Sequence, residues 1–136
     1  MALKISLKPG ERTIIGGAVV TNGSSASTDL IIENKAPVLR QKDIMAEKEA
    51  NSVCRRIYFV IQLMYIDEPN VVVYHNTYWD LVRQLIQAAP STLGLIDQIS
   101  EHILNQKYYQ ALKLAKKLIR KEQEVIDRAP EPVASL

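Results

Sequence analysis

The sequence predicts an α+β chain: a small, mostly antiparallel N-terminal β-sheet followed by a C-terminal α-helical bundle. Three observations carry this. Four of the five glycines (Gly10, Gly16, Gly17, Gly23) fall early, whereas all eight aromatics lie at or after Tyr58. Near the start, Leu3, Ile5 and Leu7 alternate with Lys4 and Ser6, the two-residue period of a half-buried strand. Toward the end, apolar residues recur every three or four positions, the period of an amphipathic helix. At 136 residues, 47% apolar and 24% charged, the chain has ordinary globular composition and is long enough to bury roughly two-thirds of its unfolded surface.

Element by element, Lys8-Pro9-Gly10-Glu11 reads as a turn, because proline presets φ at the second position and glycine accepts φ > 0 at the third. Thr13-Ile14-Ile15 returns after it, so a hairpin with the first strand is expected. Gly16-Gly17 reads as a bend or bulge before Ala18-Val19-Val20-Thr21. Asn22-Gly23 is a hairpin signal, with Ser24 to Ser27 implying a loop longer than two residues. Leu30-Ile31-Ile32 and Val38-Leu39-Arg40 complete the strands. The nearly unbroken apolar run from Ile57 to Ile66 suits helix or strand; Glu47-Lys48-Glu49-Ala50 before it favours helix. Asp67 is placed to cap the next helix, with Pro69 in its first turn and Tyr78, Trp79, Val82, Leu85 and Ile86 on its apolar side. Ser91 is expected to cap a third helix carrying Leu95, Ile96, Ile99 and Ile103. The last helix, over roughly 107–127, bears the stripe Tyr108, Ala111, Leu112, Ala115, Leu118, Ile119, Val125 and Ile126. A β-rich subdomain over 1–46, a helical subdomain over 47–128 and a flexible tail over 129–136 follow, expected as one unit.

Few residues point to chemistry. Gly16-Gly17 lacks the Lys-Ser/Thr of a phosphate loop, and His75 and His102 have no ligand at metal-binding spacing. Cys54 stands beside Arg55 and Arg56, which would lower its pKa, but it has no positioned base and no second cysteine to bridge to. A reducing cytoplasm is the expected location; no membrane association, no cofactor and no enzymatic activity are expected. The net charge of +2 conceals an acidic middle (−2 over 51–105) between segments of +1 and +3. Lys113, Lys116, Lys117, Arg120 and Lys121 share one broad face of the last helix, and Lys35, Arg40 and Lys42 form a second basic group on the sheet half. Both groups are candidates for phosphate contacts. With no aromatic before Tyr58, the sheet offers no ring on which a base stacks. Tyr58, Tyr65, Trp79, Tyr108 and Tyr109 are alternative candidates for a groove that accepts a partner helix. Self-association is left open.

Read end to end, the chain resembles the FlbT family of flagellum biosynthesis regulators. The resemblance rests on Leu3-Lys4-Ile5-Ser6-Leu7-Lys8-Pro9-Gly10-Glu11 and Gly17-Ala18-Val19-Val20-Thr21-Asn22-Gly23. It continues through Asn34-Lys35-Ala36-Pro37-Val38-Leu39-Arg40-Gln41-Lys42-Asp43, Arg56-Ile57-Tyr58-Phe59 and Tyr108-Tyr109-Gln110-Ala111-Leu112. It implies a post-transcriptional repressor that associates with the 5′ untranslated region of flagellin mRNA and promotes its decay, with no defined set of catalytic or base-reading residues. The alternative is a chaperone-like module that binds flagellin or another flagellar regulator or assembly protein and affects the mRNA indirectly. A shorter likeness, over Lys8 to Gly16 and Asn34 to Arg40, is to the carbon storage regulator, a small RNA-binding β protein. It implies Arg40 as an mRNA contact with Lys35 and Lys42 as phosphate neighbours.

Overall fold

Local turn chemistry decides the strand pairing. In the computed structural model, which describes residues 2–128, Gly16 and Gly17 have φ of +58° and +88° between paired Ile15 and Ala18. Two consecutive left-handed residues are what a type I′ two-residue hairpin requires. The pair is therefore the hairpin turn joining β2 (Arg12–Ile15) to β3 (Ala18–Thr21), not a bend or bulge. The same closure overturns the expected hairpin between the first two strands. The Lys8–Glu11 turn does form, with Glu11 N–H donating to Lys8 O at 3.0 Å. Gly10 N–H then donates to Asn22 O at 2.8 Å and Asn22 N–H to Glu11 O at 3.0 Å, so the turn feeds the β2–β3 ladder.

Two small sheets result where one was expected. β1 (Leu3–Leu7) pairs antiparallel with β4 (Thr28–Ile32), Ile5 opposite Leu30. β2 is the centre of the other sheet, between β3 and β5 (Val38–Arg40), with Ile14 opposite both Val19 and Leu39. Asn22 is buried, and its side chain replaces ladder bonds. Its Nδ2 donates to Leu7 O at 2.9 Å and to Ala26 O at 3.0 Å, while its Oδ1 accepts from Ser24 N–H at 3.0 Å. One side chain thus fixes the end of β1 and the loop before β4.

The helices are α1 (Val53–Ile66), α2 (Val71–Ala88), α3 (Leu93–Leu104) and α4 (Tyr108–Arg128). Ser52 Oγ caps α1 by accepting from Arg55 N–H at 3.1 Å, and donates to Glu122 Oε1 at 2.6 Å. Asp67 does not cap α2: a 3₁₀ turn (Glu68–Asn70) intervenes, and its carboxylate accepts instead from the Tyr74 hydroxyl and Asn70 Nδ2. Those two bonds, the Tyr74 one first, hold its pKa below the ordinary carboxylate value. Ser91 does not cap α3 either, because it lies inside the 3₁₀ turn Pro90–Thr92.

α1 packs against both α2 and α4, and α3 packs on α4. Ile57, Ile61, Met64, Tyr78, Ile99, Ala111 and Leu118 are fully or almost fully buried in the shared core, which Ile14 and Leu39 of the three-stranded sheet also enter. The Tyr78 hydroxyl meets Ser100 Oγ at 2.8 Å inside it. No helix among the described residues is long and apolar enough to cross a membrane. The tail expected over 129–136 lies outside the described residues.

Candidate nucleic-acid interface

The two basic groups, far apart in sequence, are joined by one ion pair. The 3₁₀ turn Gln41–Asp43 directly follows β5 and tucks Asp43 inward, 7% exposed, where it pairs with Lys116 of α4. The Tyr58 hydroxyl donates to the Asp43 carbonyl oxygen from below. A cavity of about 180 Å³ opens at this junction, bordered by Lys42, Lys113, Lys116 and Tyr109. Lys113 Nζ sits 4.9 Å above the Tyr109 ring centroid, within cation–π range.

Beside it, Arg40, Lys42 and Lys8 line a second cleft, of about 510 Å³, with Ser6, Ser27 and Glu11. Arg40 Nη2 donates to Ser6 O at 2.8 Å and lies 3.9 Å from Glu11 Oε2, so this arginine also ties the two sheets together. Lys42 lines both spaces and makes the track continuous. Lys8 is the cation missed in the sequence; it showed itself only as a turn residue.

The remaining candidates divide by position. Lys117 and Arg120 are exposed along α4, beyond the junction, and Lys121, also exposed, borders a different space, the apolar groove where the ends of α1, α2 and α4 meet. Lys35 sits apart from the track, in a third hollow with Tyr65, Tyr108 and the acidic Glu68.

The aromatic candidates do not form a single groove. Tyr58 is a core residue, 3% exposed, and burial first and Asp43 second raise its pKa. Trp79 packs edge-on against Tyr78, centroids 5.0 Å apart. Tyr65 and Tyr109 are in contact at 6.0 Å, and the Tyr65 hydroxyl bonds both N–H and C=O of Val38 at 3.2 Å. Tyr108 meets His75 edge-on at 6.4 Å.

The apolar groove lies elsewhere. Val53, Leu85, Ala88, Leu118, Val125 and Ile126 line a space of about 480 Å³ where the ends of α1, α2 and α4 meet. Val125 and Ile126 remain about 60% exposed because the α4 stripe continues past its neighbours. That overrun was visible in the sequence as stripe residues close to the helix end, but only packing shows them uncovered.

Cys54 corrects another expectation. Arg55 turns to Asn51 Oδ1 and Arg56 to the Ala50 carbonyl, so neither stabilises a thiolate. Burial, with the nearby Glu122 second, pushes the thiol up to about 12. Among the described residues, no three His, Cys, Asp or Glu side chains gather as a metal site would need.

Comparison with known proteins agrees over nearly the whole chain. The family model described as "Flagellar protein FlbT" matches residues 3–126. The probable flagellum biosynthesis repressor protein FlbT 1 of Bradyrhizobium diazoefficiens is 42% identical over 125 residues, 92% of this chain and 85% of that protein. The probable flagellum biosynthesis repressor protein FlbT of Rhodopseudomonas palustris is 39% identical over 128 residues, covering 94% and 100%. The flagellum biosynthesis repressor protein FlbT of Caulobacter vibrioides is 36% identical over 137 residues, covering 99% and 96%. No solved structure matches the chain.

Proposed function

The chain belongs to the FlbT family of flagellar proteins, and on that premise we propose that it represses flagellin synthesis after transcription. In this reading it binds the 5′ untranslated region of flagellin mRNA in the cytoplasm and promotes the message's decay. The names of its relatives, flagellum biosynthesis repressors, support the regulatory role. The observation that carries direct RNA contact is the junction at Asp43 and Lys116. It sets Lys8, Arg40 and Lys42 of the sheet half beside Lys113 of α4 as one cationic track. Residues 1–46 and 47–128 then work as a unit, because the track crosses from one to the other. Lys117 and Arg120 extend it along α4, whereas Lys121 borders the apolar groove and Lys35 lies off it. Decay needs no catalytic group here: occupancy of the leader alters which segments cellular ribonucleases reach.

The test is a mobility-shift titration of a flagellin leader RNA with purified, nucleic-acid-free protein. Lys42→Gln with Lys113→Gln is expected to weaken binding and to flatten the dependence of log K on log salt by roughly 0.7 for each phosphate no longer neutralised. Binding and salt slope unchanged in that double variant would remove the track from the account. Arg40→Gln needs a stability measurement beside it, since its bond to Ser6 O is structural.

A second reading is favoured by the apolar groove at Val125 and Ile126: a module that binds flagellin or another assembly protein and affects the mRNA indirectly. Capture of purified flagellin that persists at high salt and after nuclease treatment would support it, because apolar contacts are not screened as phosphate contacts are.

A further inference from the structure

We propose that the junction cavity takes single-stranded RNA, with the Tyr109 ring as the stacking platform for one base. This rests on the RNA-binding reading above and narrows it to one form of RNA and one aromatic side chain.

Tyr109 is placed and held as a platform needs to be. It is half-buried at the start of α4, on the wall of the cavity that Lys42, Lys113 and Lys116 border. Tyr65 supports it at 6.0 Å with the ring planes at 44°, and the two Val38 bonds of the Tyr65 hydroxyl fix that support to β5. Lys113 Nζ, 4.9 Å from the centroid, covers one face of the ring, and only this side chain has to move for a base to reach it. Lys113 is an exposed residue on a flexible four-carbon stem. It can leave the ring for a phosphate oxygen while a base takes its place over the π-face.

Charge alone does not account for the site. Lys116 is already paired with Asp43, and Arg40 is engaged by Ser6 O and lies near Glu11. Lys42 and Lys113 remain as the exposed cations at this cavity, few for a ligand held by phosphate contacts only. An aromatic face among them supplies the missing affinity, and it does so only for a base that is unstacked. RNA duplexes keep their bases stacked and are read by shape and 2′-hydroxyls instead. Neighbouring rings do not offer the same surface: Tyr58 is in the core with its hydroxyl on Asp43 O, and Tyr108 meets the edge contact of His75.

The experiment is fluorescence anisotropy of the full chain with three RNAs of about 12 nucleotides, within the usual footprint of single-strand binders. One is an unstructured single strand, one is its duplex, and one is the same strand with abasic positions. The intact strand is expected to bind about tenfold tighter than the abasic strand, the size of one stacking contact, and tighter than the duplex. Tyr109→Phe should retain that preference. Tyr109→Leu should lose it about tenfold with the salt slope unchanged, whereas Lys113→Gln should flatten the slope. Equal binding of intact and abasic strands by the unaltered protein overturns the proposal without depending on any variant's folding, and leaves RNA binding standing. Equal or tighter binding of the duplex overturns it too. Absence of binding to all three overturns both this inference and the function it rests on.

Discussion

The two sheets are neighbours in the chain but are held in place by different means. In the β3–β2–β5 sheet, Ile14 and Leu39 enter the core built by the four helices, and Thr13 Oγ1 donates to Leu39 O at 2.9 Å in full burial. The β1–β4 ribbon buries Ile5 and Leu7 outside that core, and Asn22 pins it from the side. Its other face carries Ser6 Oγ donating to Asp29 at 2.6 Å and the Lys4–Asp29 pair at 3.4 Å, both in water. Exposed ion pairs contribute little, so the ribbon is held to the rest of the chain by two apolar side chains, the Asn22 amide and the bond from Arg40 to Ser6 O. Strands of similar length are thus expected to differ in stability according to what lies behind them.

The largest test of that contrast is Ile61→Ala in α1, at a site with no exposed surface. It is expected to lower global stability by about 2–5 kcal/mol in urea titrations. The β3–β2–β5 sheet should melt with the helices; its survival after the helical signal is gone would break the comparison.

Asn22→Ala comes next, at about 1–3 kcal/mol, because it leaves the Leu7 and Ala26 carbonyls without their donor. Hydrogen exchange should quicken in β1 and β4 and hardly at all in α1 to α4. Equal acceleration in both places would mean that the ribbon is no separate unit.

Gly17→Ala sharpens the other side, at about 1–2 kcal/mol for the left-handed backbone alone. A Cβ there would stand 3.1 Å from the Ile66 carbonyl oxygen, so the hairpin would also press on the end of α1. Its effect should therefore appear in the global unfolding midpoint, unlike that of Asn22→Ala.

The last effect is alkaline and is absent at neutral pH. Burial pushes the Tyr78 phenol up to about 12, and Cys54 to the same value. Both groups are held protonated in the folded chain, while the unfolded chain ionises them near their ordinary 10 and 9. Stability is thus fully present below pH 9 and declines from there toward pH 12. Cys54→Ala should shift the onset from near pH 9 to near pH 10, and a stability profile flat to pH 11 would contradict the burial argument.

Helices were legible because their signal is local and repeated: the 3–4 spacing of Tyr108, Ala111, Leu112, Ala115 and Leu118 reports a single buried stripe, and those residues are buried or half-buried. Strands were legible as strands but not as partners. Thr13-Ile14-Ile15 suits pairing with β1 as well as with β3, and the choice fell to two glycines that accept positive φ. Asn22 looked like turn chemistry and is a buried amide, since burial is not a property of a dipeptide. Among site residues, Lys42 and Lys113 were identified as charges, but not as facing one cavity. Lys116, read as a candidate phosphate contact, is paired with the buried Asp43 carboxylate.

By itself, the sequence determined the class of fold, the three later amphipathic helices and the restriction of ring chemistry to the helical half; that Ile57 to Ile66 is helix and not strand was not among them. Each of these follows from composition or from a period of two to four residues, the scale at which a side chain senses its own element. Tertiary structure alone decided which strands pair, where the end of α4 lies uncovered, and that the pairing of Asp43 with Lys116, 73 residues apart, brings Lys42 of the sheet half beside Lys113 of α4. Contacts at that separation leave no periodic trace in the chain. They come from burying several elements against one core, which sets positions that no element encodes alone.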